Sequence, residues 1–258
     1  MIKLNNAIVY SFHIREKTIL ENRCYKQLLY SIKTLRQFNK DIKVYVYVAP
    51  FGMIDNIYID DNVEFIEFDN TDQDGWPEAW TTIGYQEFLR HRWENALRTI
   101  SDKKLDNILY LDTDTIFFNN VNILFEKYGN SEYVWAKPDN SEHIMKQIGI
   151  WPGMNDGQFI LSNKVDTTTL LYHINIYISN LLKNNKSTMG KQDYLDLCWI
   201  SVQYAVFDYF LKEQKPVKYF DEFDVMLHLE PEYKDTSNLI LQHYYNGNFT
   251  KVVPKEYW

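Results

Sequence analysis

The residues best suited to chemistry lie in 108-ILYLDTDTIFFNN-120, where an apolar run ends in Asp112-Thr113-Asp114 and at once turns apolar again. Two carboxylates one residue apart repel each other and raise each other's pKa unless a counter-charge is present. Alternation along an extended chain puts positions 112 and 114 on one side, so both would reach the same ion. A hard divalent cation, Mn²⁺ or Mg²⁺, takes oxygen ligands and binds through one or two carboxylates together with substrate phosphates. The pair therefore suggests a cation that joins the protein to a phosphorylated ligand. The same residues also suit a solvated turn, since Asp and Thr are favoured turn formers. The buried-strand context favours the first reading, because ligands of open α/β sheets bind beyond the carboxyl ends of the strands.

The elements that must position this pair follow from the hydrophobic pattern. Residues 7-AIVYSF-12 read as a first buried strand. Thr18 and Glu21 have capping-box spacing. Leu20, Cys24, Leu28, Ser31 and Leu35 then recur at helical intervals, a helix of about five turns. The run 42-IKVYVYV-48 completes a β-α-β unit, which implies a parallel pair with a right-handed crossover. A third run, 63-VEFIEF-68, and the acidic loop 69-DNTDQDGWPE-78 follow. Leu89, Trp93, Ala96 and Ile100 trace a second amphipathic helix, which delivers the chain to 107-NILYLD-112. The second half predicts strands at 132–137 and 158–162, helices at about 166–184 and 193–212, and a strand-like tail over 237–251 that ends in a Gly-containing loop. Strands alternating with helices predict an α/β sheet covered on both faces. No repeat or linker divides the 258 residues.

Composition narrows the function. With 45% apolar residues and only 9 Gly and 7 Pro the chain is globular. The net charge of −8 argues against a nonspecific nucleic-acid binder, which needs phosphate-neutralising surface. An aromatic share of 16% suits either a sugar- or base-lined cleft or a Tyr-rich core. Cys24 and Cys198 have neither ligand spacing nor a disulfide framework. The sequence shows no secretory signal and no apolar run of about 18 residues that would span a membrane, so a cytoplasmic location is expected.

The segment 109-LYLDTDTIFFNNVNILF-125 resembles the core of GT-A glycosyltransferases, above all the glycogenin and lipopolysaccharide galactosyltransferase group (family eight). There a hydrophobic strand ends in Asp-x-Asp, followed by an apolar stretch, Asn and a Leu-Phe pair, here Asn119 or Asn120 with Leu124-Phe125. Met154-Asn155-Asp156-Gly157 is similar to the group's Phe-Asn-x-Gly. Its helix-opening Asp-Gln is half matched at Val202-Gln203, with Lys191-Gln192-Asp193 as a competing match. His243 through Gly247 to Lys251 resembles its C-terminal His-x-x-Gly-x-x-Lys, stretched by one residue in each gap. The resemblance implies a GT-A (Rossmann-like) α/β fold, a mixed and mostly parallel sheet flanked by helices. It implies a single domain over 1–258, with a nucleotide-binding half at about 1–120 and an acceptor and sugar half at about 121–258.

It further implies transfer of a sugar from a nucleoside diphosphate sugar, a UDP-sugar above others, to a hydroxyl of a glycan, protein or small molecule. Asp112, Asp114 and His243 would hold Mn²⁺ or Mg²⁺. Ser11, Phe12 and His13 would cradle base and ribose. Arg90 or Arg92 would face the diphosphate, with Lys251 as a second cation and Thr113 between the two aspartates. Asn155 and Asp156 would contact the donor sugar. Asp156, Asp193 and Gln203 are the catalytic candidates, the first two as general bases should the reaction invert. Trp76, Trp80 and Trp151 would stack on an acceptor. Two other readings stand beside this one. Asp112-Thr113-Asp114-Thr115 also resembles motif one of haloacid-dehalogenase-type Mg²⁺ phosphatases, with Lys218, Asp221 and Asp224 as later motifs. A non-catalytic sugar-nucleotide-binding protein would share the same fold.

Overall fold

The computed structural model describes residues 4–14, 16–54, 57–69, 83–129, 132–138, 154–185, 191–221, 224–227, 237–244 and 248–258. The first apolar run forms β1 (Asn6–His13), followed by α1 (Arg23–Phe38), β2 (Lys43–Ala49) and β3 (Val63–Glu67). Next come α2 (Ile83–Lys103), β4 (Asn107–Leu111), β5 (Thr115–Phe117), α3 (Asn122–Tyr128), β6 (Trp135–Pro138) and β7 (Met154–Ser162). Helices α4 (Thr167–Asn185) and α5 (Lys191–Lys212) pack on each other. The chain then adds β8 (Lys218–Tyr219), β9 (Val225–Leu227), β10 (Leu241–His243) and the short α6 (Phe249–Val252).

Seven strands form one sheet in the order β3-β2-β1-β4-β7-β6-β8. Strands β3, β2, β1 and β4 run parallel, while β7 pairs antiparallel with both β4 and β6. A small second sheet, β5-β10-β9, sits at the carboxyl end of β4. Alternation along the strands supplies both faces of the large sheet. Ile8, Tyr10, Leu109, Leu111 and Ile160 pack against Leu28, Ile32 and Leu35 of α1 and against Leu124 and Phe125 of α3. Ala7, Val9, Ile108, Tyr110 and Phe159 pack against Trp93, Ala96 and Ile100 of α2 and the inner faces of α4 and α5. Each fully buried aliphatic or aromatic side chain contributes about 1.5–3 kcal/mol relative to exposure, so the sheet carries most of the core.

Three expectations need correction. The helix after β1 does not start from Thr18, whose side chain makes no cap bond; a single 3-10 turn, Ile19–Glu21, intervenes. Asn22 is the cap instead, accepting from the Tyr25 N–H at 3.0 Å. This shift leaves Leu20 exposed. The strand expected at 158–162 starts earlier, so Met154-Asn155-Asp156-Gly157 forms the first half of β7. Among the described residues the tail forms a strand only at Leu241–His243, paired with the three-residue β5, and it is helical from Phe249.

Candidate metal centre

β4 ends at Leu111, and Asp112-Thr113-Asp114 turns the chain into β5. The two carboxylates therefore converge through a turn and not by alternation along an extended chain. Backbone bonds fix that turn: the Asp112 N–H donates to the Gly157 carbonyl at 2.8 Å, and the Tyr244 N–H donates to the Asp114 carbonyl at 2.8 Å. The Thr115 hydroxyl donates to the Asp112 carbonyl at 2.8 Å. Thr113 points the other way, its hydroxyl donating to Gln27 Oε1 on α1 at 3.2 Å.

β10 lies antiparallel to β5 with His243 opposite Thr115, which lays the imidazole over the turn. Its Nε2 is 3.0 Å from Asp114 Oδ1 and 3.6 Å from Asp112 Oδ2. One ligand atom from each of Asp112, Asp114 and His243 falls within 4.8 Å of the other two. Gly157 makes room for this cluster: a Cβ there would stand 2.4 Å from Asp112 Oδ2 and 3.0 Å from His243 Cε1.

A buried cation closes the other side. Arg92 of α2 places Nη2 2.9 Å from Asp112 Oδ1 and Nη1 3.2 Å from Asp156 Oδ1. Its guanidinium lies over the Tyr110 ring, 5.3 Å from the centroid. Trp93, Phe159 and Tyr110 form a stack beneath, with centroid separations of 4.1 and 4.9 Å. Arg suits this position because a planar, weakly hydrated fork can pair two carboxylates while resting on an aromatic face.

The charges are strongly perturbed. Burial raises the Asp112 pKa and Asp114 adds to the rise, against Arg92 and His243, which lower it. Asp156 is likewise raised by burial, with Asp112 adding and Arg92 opposing. For His243 burial works against the charged form, but Asp114 and then Asp112 outweigh it and the pKa is raised. A buried carboxylate and an imidazole whose pKa values are both raised, with Asp114 beside them, fit a cation site: a divalent ion in the cluster would take over the charge balance. Two oxygens and one nitrogen suit Mn²⁺ or Mg²⁺ with positions left for phosphate oxygens.

The remaining candidate residues divide. Ser11 and His13 are buried at the end of β1, Ser11 beside the Tyr110 hydroxyl, whereas Phe12 packs on the opposite face against Tyr25. Of the two arginines, Arg92 enters the cluster and Arg90 does not: Arg90 lies on the outer face of α2 next to Glu94 and His91. Asn155 accepts from the Gly157 N–H at 2.9 Å. Gln203 does not open a helix. It lies inside α5, about 18 Å from the start at the ~1.5 Å rise per residue, and is buried there. The helix opens with Lys191-Gln192-Asp193 instead, although the Asp193 side chain is outside the described residues. Lys251 is exposed on α6, donating to Asn248 Oδ1 at 2.8 Å. Trp76, Trp80, Trp151 and Gly247 lie outside the described residues.

Sequence reasoning missed Gln158, fully buried with Nε2 3.0 Å from His243 Nδ1, and Gln27 behind Thr113. The available signal was a Gln inside an otherwise apolar strand run, since a buried polar residue is informative where a buried Leu is not.

No protein-family model matches the chain, and no curated protein matches it. Solved structures do. The galactosyltransferase LgtC, in complex with donor and acceptor sugar analogues, superposes with a TM-score of 0.56 at 17% identity, covering 97% of this chain and 98% of that one. Mouse xyloside xylosyltransferase 1, in its apo form, gives 0.53 at 11% identity over 96% of this chain and all of the other. The glycosyltransferase GlyE of Streptococcus pneumoniae TIGR4 gives 0.51 at 15% identity, covering 94% of this chain and 55% of that one. At such identities the likeness concerns backbone architecture: the chain has the GT-A glycosyltransferase fold.

Proposed function

We propose that the chain is a metal-dependent glycosyltransferase that moves a sugar from a nucleoside diphosphate sugar, a UDP-sugar above others, to a hydroxyl acceptor. The observation that carries this reading is the convergence of Asp112, Asp114 and His243, from the two halves of the chain, at the carboxyl edge of a GT-A sheet. We read the chain as one catalytic domain, with the nucleotide-binding half at about 1–120 and the sugar and acceptor half at about 121–258.

Asp112, Asp114 and His243 would hold Mn²⁺ or Mg²⁺. An ion held there would supply Lewis-acid stabilisation of the departing diphosphate. The chain's own residues do the rest. Arg92 holds Asp112 in place and opposes the burial that raises its pKa. Ser11 and His13 close the floor at the end of β1, where base and ribose would lie. Asp156 has one oxygen on Arg92 and the Trp93 indole as a further donor nearby, while its Oδ2 makes no hydrogen bond of ordinary geometry among the described residues. That oxygen is suited to accept from a hydroxyl of the donor sugar. Placing a preorganised acceptor against a sugar hydroxyl fixes ring orientation before bond breaking. Asp156 and Asp193 are the candidate general bases should the reaction invert.

Two of the phosphatase reading's further residues are engaged or placed elsewhere. Asp224 is engaged by Lys127 at 2.6 Å and by Tyr128. Lys218 sits on β8, at the sheet edge three strands from β4. The test is a panel of nucleotide sugars with Mn²⁺, read out as free nucleotide. The transferase releases nucleotide from one donor, and Asp114→Ala abolishes release. Phosphate release from a monoester would favour the phosphatase, and a thermal shift without turnover a binding protein.

A further inference from the structure

Gln158 is fully buried beside His243, and its amide has an asymmetric environment: Nε2 lies 3.0 Å from His243 Nδ1, whereas Oε1 has no partner among the described residues. An amide nitrogen only donates, so against a neutral imidazole this arrangement has Nδ1 accepting and the ring proton on Nε2, donating to Asp114 Oδ1 at 3.0 Å. That is a complete chain for a cluster without a cation. It is the wrong chain for one with a cation. A divalent ion on Nε2 needs that lone pair, which sends the proton to Nδ1, where it would face the amide N–H of Gln158, donor against donor. Turning the amide over removes the conflict and gives the orphaned Oε1 the partner it lacks.

We propose that Gln158 is the positioning residue of the metal centre, its amide turning on metal loading so that Oε1 accepts from His243 Nδ1–H and fixes the imidazole with Nε2 toward the ion. This rests on the metal-binding reading of the Asp112, Asp114 and His243 cluster. It goes further in assigning a residue that touches neither ion nor substrate. Gly157 supports it by geometry: the absence of a side chain there lets the imidazole and Asp112 come close to the backbone next to Gln158.

The experiment compares Mn²⁺ affinity by titration calorimetry for the full chain, Asp114→Ala, Gln158→Met and Gln158→Glu. A partner that orients a metal-bound imidazole contributes about 10–100-fold in metal affinity. Gln158→Met keeps the volume but removes the acceptor, so Mn²⁺ binding should weaken by about that factor. Gln158→Glu keeps only acceptors and should bind Mn²⁺ at least as tightly as the parent. A purely structural role gives the opposite order, because a buried carboxylate is worse than a thioether. In the Zn²⁺-loaded parent, a nitrogen-15 spectrum tuned to imidazoles should show a protected Nδ1–H that disappears in Gln158→Met. The proposal is overturned if Gln158→Met binds as the parent does, or if Glu binds more weakly than Met. Should the parent bind Mn²⁺ no better than Asp114→Ala, the metal reading itself falls, and this proposal with it.

Discussion

Replacing Gly157 by Ala tests whether the cluster is built as described. The added Cβ would stand 2.4 Å from Asp112 Oδ2, 3.0 Å from Asn155 Oδ1 and 3.0 Å from His243 Cε1. Ordinary contact needs roughly 3.5 Å, so Asp112 must retreat by about 1 Å, breaking its alignment with Arg92 and His243. Because the closest atom is the end of a side chain, the fold should lose only about 1 kcal/mol, the low end for overpacking. At this chain length that is roughly 2–4 °C in Tm. Function should suffer far more: a displacement of about 1 Å at a reacting centre weakens turnover by ~100-fold. Gly129→Ala is the control. Its Cβ would meet the Phe125 carbonyl oxygen at 2.3 Å, a backbone atom that cannot retreat, at the end of α3. That variant should lose more stability, up to about 3 kcal/mol, and keep its Mn²⁺ affinity. Calorimetric Mn²⁺ titration and thermal melts of both variants give the comparison. Equal metal affinity in Gly157→Ala and the parent would refute the packing argument.

Removing the Arg92 fork leaves Asp112 and Asp156 facing each other. Arg92→Met should destabilise by up to about 3–5 kcal/mol, less in practice because Asp112 keeps 26% of its side chain exposed; Arg92→Lys should recover stability only in part, as seen in melts. In the metal-free protein His243, Asp112 and Asp156 all have raised pKa values, so the folded state holds protons more tightly than the unfolded one. The His243 contribution is complete below its ordinary value of 6.5 and is lost as pH rises through the higher folded value. Melts from about pH 6 to about pH 9 should show Tm falling more steeply in the parent than in His243→Gln. Saturating Mn²⁺ should reverse the slope, since its ligands must be deprotonated. Asn22→Ala should cost about 1–2 kcal/mol, because Asn22 caps α1 and also donates to the His13 carbonyl at 3.1 Å. Thr18→Ala should leave Tm unchanged.

The sheet was legible because its strands are apolar on both faces: 7–12, 42–48 and 107–112 have no polar face to mislead, and each became a strand. The start of α1 was misread because Thr18-x-x-Glu21 has the right letters, while the cap that Tyr25 uses lies four residues on at Asn22. Asp112 and Asp114 stood out by breaking an apolar run. Their meeting with His243 depends on the pairing of β5 with β10, a long-range register that no local pattern encodes. The choice between Arg90 and Arg92 was set by the face of α2 that lies on Tyr110. Gln203 had convincing neighbours but sits in the buried interior of α5, since sequence similarity there did not carry the position of the helix start. Gln158 escaped notice because its role exists only relative to an imidazole from the far end of the chain.

The most direct test is a crystal grown with Mn²⁺ and UDP, examined by anomalous scattering at the manganese edge. The account expects one strong peak within about 2–2.5 Å of oxygens from Asp112 and Asp114 and of His243 Nε2, with the diphosphate on its open side. A peak held by other residues, or diphosphate bound while this cluster carries no metal, would contradict it.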